Sequence, residues 1–282
     1  MRVFITGAKG QLGSPIAARL GEEVAGRCDL PECDVARADQ IGPAIAIARP
    51  DLVIHCAALT DVDGCARDPA LAYRVNGLGT QNVALACAGA GAALLYISTN
   101  EVFDGEKCEP YWEFDEPRPI NPYGRSKLAG EWFVSHLLTR FYIVRSSWLY
   151  APGGRNFIHK ITQLADEQGR LRVVADEVSS PTLVSDLVEA IVKLIRTDRF
   201  GVYHLTNAGC CSRYDWARKV LDLTGRGAVP VEPITRADFP RPSTPPANTA
   251  LANTCAAALG ITLRPWEEAL EELLRHLVTP AP

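Results

Sequence analysis

With 282 residues, 47% of them hydrophobic and 22% charged, the chain can bury one large α/β core, or a nucleotide domain carrying a smaller lobe; this balance excludes a fibre, a coiled coil or disorder. A formal net charge of -4 and a pI near 5.8 exclude general attraction to nucleic acid or to an anionic membrane, so any phosphate must be met locally. Nine cysteines (28, 33, 56, 65, 87, 108, 210, 211 and 255) show no CxxC pair and no metal-type spacing; they read as reduced, mostly buried thiols, and no metal is expected.

The first predicted strand, near 2–6, starts at Met1-Arg2-Val3-Phe4-Ile5 without a basic-then-apolar leader, so the expectation is a cytoplasmic protein. Thr6-Gly7-Ala8-Lys9-Gly10-Gln11-Leu12-Gly13 follows at once and opens a helix near 11–20, giving the spacing GxxGxxG. Glycines here permit a tight turn and close approach of backbone to a pyrophosphate, whose charge rests on free N–H groups at the helix N-terminus. Such a stretch alone can be a plain tight loop. Its place after the first strand of an α/β chain favours a dinucleotide held by Gly7, Gly10, Gln11, Leu12 and Gly13. The second strand, near 23–27, ends on Arg27 with no acidic residue immediately at its end. Arg27 stands where a ribose or its 2′-phosphate is read, which leans the cofactor towards NADP(H) over NAD(H); a solvated charge is the equal alternative. Asp34 and Val35 are placed to bracket the adenine.

A helix near 37–48 and a strand at 51–56 come next, followed by Ala57 and Ala58, which leave room for the cofactor. A helix near 68–89 leads to a strand at 92–98. The longest apolar run, Val83 to Ile97, spans 15 residues broken by Gly89 and Gly91, too short to cross a bilayer. Both 52–56 and 93–97 are apolar on both faces, as central strands covered by helices on each side. Ser98 and Thr99 end the second of these, where ligands bind in open α/β sheets, so Thr99 can hydrogen-bond a reacting oxygen. The helix near 121–138 begins Asn121-Pro122-Tyr123-Gly124-Arg125-Ser126-Lys127. Asn121 can cap it, Pro122 suits its first position, and Tyr123 and Lys127 fall at i and i+4 on one face. A phenol titrates near ~10 and a neighbouring ammonium favours the phenolate, which suits proton transfer to the alkoxide formed in carbonyl reduction. YxxxK alone is a common chance match; three elements in order on the right structures outweigh that reading.

Further strands are expected near 140–146, 171–175 and 201–205, with a helix near 155–168. Loops at Pro152-Gly153-Gly154 and Ser179-Ser180-Pro181, and a proline-dense stretch from Phe239 to Pro246, mark a change of character. Residues 1–150 read as a nucleotide-binding domain to which the strand at 201–205 returns, and 151–282 as mainly a substrate lobe. The fold class is α/β: a Rossmann-type, doubly wound parallel sheet with a smaller C-terminal α/β lobe.

On these motifs the chain resembles the extended short-chain dehydrogenases/reductases and, within them, the dTDP-4-dehydrorhamnose reductase family, over nearly its whole length. The likeness includes Ala57-Ala58-Leu59-Thr60-Asp61-Val62-Asp63, the block Ser98 to Gly105, and Arg145-Ser146-Ser147-Trp148-Leu149-Tyr150. It continues through Gly153-Gly154-Arg155-Asn156-Phe157, Ser180-Pro181-Thr182 and Arg241-Pro242. The resemblance implies reduction of the C4 ketone of dTDP-4-dehydro-L-rhamnose to dTDP-L-rhamnose by NAD(P)H. It carries over Thr99, Tyr123 and Lys127 as the catalytic set, the last two also touching the cofactor, and Thr60, Thr99, Asn100 and Trp148 as the lining of the sugar-nucleotide site. By residue type alone Trp148 is more readily a core aromatic. The partner implied is a nucleotide sugar, with a homodimer as the assembly and no nucleic acid or membrane.

One departure stands out: the family has Asp-Tyr after the catalytic Thr, and this chain has Asn100-Glu101. Related 4,6-dehydratases place Asp-Glu there as acid and base; Asn100 cannot be that acid, so dehydration is disfavoured and the departure bears on the sugar more than on the reaction type. Two alternatives stay open. One is a non-catalytic subunit like the regulatory partners of methionine adenosyltransferase, against which the complete catalytic set weighs. The other is an epimerase or dehydratase that recycles bound NAD, which net consumption of NADPH would separate from a reductase.

Overall fold

Five apolar runs become the strands β1 (Val3–Thr6), β2 (Val24–Cys28), β3 (Leu52–His55), β4 (Ala93–Thr99) and β5 (Phe141–Ser146). In this computed structural model they form one parallel sheet with the edge strand Gly201–His204, in the order Gly201–His204, β5, β4, β3, β1, β2. Residues 1–153 and 156–278 are described; Gly154 and Arg155 of the resembling block, and the start of the helix expected from 155, lie outside them.

Successive side chains of a strand point to opposite faces, and here both faces are covered. Ile5, Ile54, Leu95 and Val144 pack under the helices Gly13–Leu20 and Val184–Leu194. Phe4, Val53, Leu94 and Ile143 pack on the other side, against Ile41, Val83 and Val134 of the helices Ala38–Ala48, Gly79–Ala90 and Pro122–Leu137. The fold is thus the doubly wound, Rossmann-type α/β fold. Because β1 lies between β2 and β3, the chain winds to opposite sides on either side of it, and the crevice at that switch point opens at the strands' carboxyl ends.

Three local differences from expectation have physical causes. The strand expected near 171–175 forms as Leu171–Val174 but pairs with Val231–Ile234 outside the main sheet, because Leu171 and Val173 bury against Ile158, Ile161 and Trp216 in a second core. The helix expected over 68–89 is present from Pro69 to Ala90 but widens into a π-helical turn at Tyr73–Leu78. Inside it Asn76 exchanges hydrogen bonds with Leu59, accepting from its N–H at 2.8 Å and donating to its carbonyl at 3.0 Å, and donates to the Ser126 hydroxyl at 3.0 Å. The cysteines are not all reduced: Cys28 and Cys33 form a disulfide with Cα atoms 5.5 Å apart, while of the free thiols Cys108 and Cys210 are exposed and the others are buried or half-buried. Among the described residues no helix is long and apolar enough to cross a membrane.

Candidate active site

The turn after β1 is shaped by its glycines. Gly7 has φ +65°, and a Cβ on it would stand 2.6 Å from the Ala57 nitrogen, while one on Gly13 would collide with the Gly7 carbonyl. The turn therefore presses on Cys56-Ala57 after β3, at the switch point. The helix Gly13–Leu20 starts at Leu12 with no side-chain cap; the Ser14 N–H donates to the Gly10 carbonyl at 3.1 Å and Pro15 has no N–H, so the groups left to a ligand are the N–H groups at Leu12 and Gly13. Such a cradle fits a dinucleotide pyrophosphate.

β2 runs one residue past its expected end, so Asp29 follows the strand directly, where the sequence suggests no acid. Its carboxylate accepts from the N–H groups of Lys9 (2.6 Å) and Leu30 (2.8 Å), against the glycine turn. An acid at this remove from the glycines is the group that reads a free ribose 2′-hydroxyl. Arg27 is exposed on the same strand. Asp34 is half-buried and accepts from the Ala36 N–H at 2.9 Å, and Val35 is buried, its Cγ2 3.1 Å from where a Cβ on Gly79 would stand.

On the other side of β3, Asn121 caps the helix Pro122–Leu137 by accepting from the Gly124 N–H at 2.8 Å, with Pro122 in its first turn. A Cβ on Gly124 would collide with the Glu101 carbonyl, so this first turn lies against the 3₁₀ turn Asn100–Val102 that follows Thr99. Tyr123 is thereby brought to Thr99. Burial pushes the Tyr123 phenol up, the Glu101 charge adds to the rise, and a hydrogen bond with the Thr99 hydroxyl opposes it.

The ammonium expected to favour the phenolate points elsewhere: Lys127 donates to the Ile97 carbonyl at 2.7 Å and lies 4.3 Å from the centre of the Tyr96 ring. Burial pushes Lys127 down to about 7, against the pull of Glu131, Cys56 and Cys65. The phenol is thus held protonated, as a proton donor requires. Beneath it, the Ser98 hydroxyl donates to Glu131 at 2.5 Å, and Glu131 pairs through both oxygens with buried Arg145. His55 at the end of β3 is buried between Thr6 (2.6 Å) and Thr80 (3.1 Å), and burial with the Lys127 charge pushes it down to about 3.

The four residues expected on the substrate side are dispersed. Thr60 is exposed on the turn after β3, and Thr99 is buried at the end of β4. Asn100 turns inward: its amide donates to Ser179 (3.0 Å) and Thr249 (2.6 Å), and its oxygen accepts from the Thr99 hydroxyl (3.1 Å). Trp148 has φ +41°, a conformation L residues rarely hold. Its ring stacks on Trp216 with centroids 5.5 Å apart and carries the Arg213 guanidinium 3.5 Å from its centre, while Arg213 donates to Glu177 at 3.0 Å.

Beside this stack opens a cavity of about 680 Å³ whose lining includes Phe157, Arg172, Arg213, Arg236, Phe239 and Arg241. Four guanidinium groups with two aromatic rings suit an anion that carries a ring. Except for Phe157 and Arg241, which fall in the resembling blocks, sequence reasoning missed these residues, scattered over some 70 positions; only the proline-dense stretch from 239 hinted at them. The cavity rim is tied to the short helix Val62–Arg67 that follows β3, where Asp63 accepts from Arg241 Nε (2.9 Å) and from the Ser243 N–H (3.1 Å). Among the described residues no cluster of three or more His, Cys, Asp or Glu side chains could hold a metal ion.

The family model described as the RmlD substrate binding domain matches residues 1–279. A dTDP-4-dehydrorhamnose reductase of Mycobacterium tuberculosis is 41% identical, over 97% of this chain and 92% of the relative. A solved dTDP-4-dehydrorhamnose reductase from Bacillus anthracis in complex with NADP superposes with a TM-score of 0.92 at 40% identity, covering 97% and 98% of the two chains. The orthologue from Clostridium acetobutylicum gives 0.93 at 39% identity, covering 99% and 100%. The chain belongs to the dTDP-4-dehydrorhamnose reductase family and is an NAD(P)-dependent oxidoreductase.

Proposed function

We propose that this protein reduces the C4 ketone of dTDP-4-dehydro-L-rhamnose to dTDP-L-rhamnose, using NADPH in the cytoplasm. The observation that carries this is the meeting of Tyr123 and Thr99 at the carboxyl end of β4, with the glycine cradle of β1 and the cation-lined cavity in the same molecule. A bound reduced nicotinamide cofactor would supply the hydride for the reduction. Gly7, Gly10, Gln11, Leu12 and Gly13 would hold its pyrophosphate, Asp34 and Val35 would take its adenine, and Ala57 and Ala58 would admit it by their small size.

As charge develops on the ketone oxygen, the Thr99 hydroxyl turns from Asn100 to donate to it and Tyr123 gives up its proton. Lys127, whose amine is held on the Ile97 carbonyl, has to leave that acceptor to steady the resulting phenolate. Arg213 on Trp148, with Arg236 and Arg241, receives the diphosphate, and Thr60 and Asn100 border the sugar.

The cofactor preference is set by Arg27 for the 2′-phosphate against Asp29 for a free 2′-hydroxyl. Arg27→Ala is expected to lower kcat/KM with NADPH about tenfold, the loss of one charge-assisted hydrogen bond, and to spare NADH. The direct test supplies dTDP-4-dehydro-L-rhamnose with NADPH and identifies the product. One NADPH oxidised per dTDP-L-rhamnose formed supports the reading. Turnover without net oxidation indicates an epimerase or dehydratase. Cofactor binding with no turnover of any dTDP-, UDP- or GDP-4-keto sugar rejects catalysis in favour of a regulatory subunit.

A further inference from the structure

One carboxyl group at the site takes no part in the steps above. Glu101 sits on the turn that follows Thr99, and its N–H donates to the Thr99 hydroxyl at 3.2 Å. Its Oε2 accepts from Asn121 Nδ2 at 2.6 Å. Asn121 is itself immobilised, capping the helix of Tyr123 with its oxygen and reaching the Thr244 carbonyl on the cavity wall at 3.3 Å. The carboxyl group is therefore fixed at the N-terminal end of the helix that carries the phenol. Among the described residues Oε1 has no hydrogen-bond partner, and the side chain is half-buried.

Asn121 links Glu101 both to the helix of Tyr123 and to Thr244 of the cavity wall, which sets the carboxyl group between the phenol and the cavity. Burial pushes the Glu101 carboxyl up and the Asn121 bond opposes the rise; Glu177 of the cavity adds to it, Arg213 and Arg241 oppose it, and the Glu101 charge in turn raises Tyr123. A sugar nucleotide with its diphosphate among the guanidinium groups and its ketone at Tyr123 must lay its hexose ring along this interval. The other member of the pair, Asn100, is turned inward, its amide on Ser179 and Thr249 and its oxygen under the Thr99 hydroxyl, so in this structure the unengaged oxygen of the two residues is Glu101 Oε1.

The atoms next to the ketone identify what that group meets. In a 4-keto-6-deoxyhexose C5 carries a methyl group and C3 a hydroxyl, and only the hydroxyl can satisfy a carboxylate, which accepts and does not donate. We propose that Glu101 is a specificity-determining residue: its free oxygen accepts the hydrogen bond of the hydroxyl at C3, so the enzyme selects 4-keto sugars with that hydroxyl free and rejects 3-deoxy and 3-O-alkyl analogues. This inference rests on the reductase reading.

The test measures kcat/KM with NADPH for a dTDP-4-keto-6-deoxyhexose and its 3-deoxy analogue, in wild type, Glu101→Leu and Glu101→Gln. Wild type should favour the hydroxylated sugar by about 100-fold or more, because without the hydroxyl the half-buried carboxylate is left unpaired once the sugar covers it. Glu101→Leu should discriminate less than about threefold, chiefly through loss of the hydroxylated substrate, and Glu101→Gln, which keeps an acceptor oxygen, should recover most of the ratio. An unchanged KM for NADPH shows that each variant is folded. A wild-type ratio retained in Glu101→Leu, or a wild type indifferent to the hydroxyl, overturns the proposal while leaving the reductase standing. No turnover of the parent sugar by wild type overturns both.

Discussion

Lys127 shows how an active amine sets itself against the fold. Buried under the site, it holds a pKa of about 7 where the free side chain has 10.5. Between those values the unfolded chain binds a proton that the native state resists, so stability falls as pH drops from about 10.5 to 7, and below 7 the penalty is complete. Lys127→Met should therefore raise the melting temperature of the cofactor-free protein at pH 7, by about 1–3 kcal/mol of stability, while turnover falls at least 100-fold. Thermal melts beside NADPH oxidation check both halves; a lower melting temperature would contradict the burial argument. Tyr123→Phe keeps the ring and loses the proton, so it should melt within a few degrees of wild type and reduce the keto sugar about 10²–10⁴-fold more slowly.

The helix Pro122–Leu137 delivers these residues only because it lies close on β4. A Cβ on Gly130 would collide with the Tyr96 hydroxyl and stand 2.9 Å from the Asn76 carbonyl. Gly130→Ala should push the helix off the sheet, cost about 1–3 kcal/mol in denaturant unfolding and slow turnover by displacing Lys127; a variant as stable and active as wild type would show the contact to be soft. The cap, the first-turn proline and the i, i+4 pair of this helix were legible in the sequence, since each is set by neighbours within a turn. The π-helical turn at Tyr73–Leu78 was not: its cause is the bonding of Asn76 to Leu59 and Ser126, the latter 50 positions away.

Two cores, one under the main sheet and one around Trp216, must hold their ligands in register, and the Asp63 bridge to Arg241 and Ser243 spans the gap. Asp63→Ala should raise KM for the sugar nucleotide about tenfold, roughly one charge-assisted bond, and leave KM for NADPH unchanged. Equal changes in both would assign Asp63 a general structural role. The molecule should also be acid-labile. His55 and His204 are buried at pKa values of about 3, and the unfolded chain protonates both near 6.5, so stability falls as pH drops from 6.5 towards 3. Denaturant unfolding between pH 6 and 4 should lose at least about 2 kcal/mol per pH unit.

What the amino-acid order settled was whatever depends on neighbours: the strands and helices, the glycine turn after β1, and Tyr123 one turn before Lys127 on a capped helix. Apolar period, cap chemistry and residue spacing act over a few positions, so they can be read directly. Only folding decided that Leu171–Val174 joins a separate sheet, that Asn100 turns inward while Glu101 binds Asn121, that the Lys127 amine binds Ile97, and that four arginines line one cavity. Each of those depends on which distant segment supplies the hydrogen-bond acceptor, the counter-charge or the apolar wall, and packing assigns such partners across 30 to 150 positions of chain.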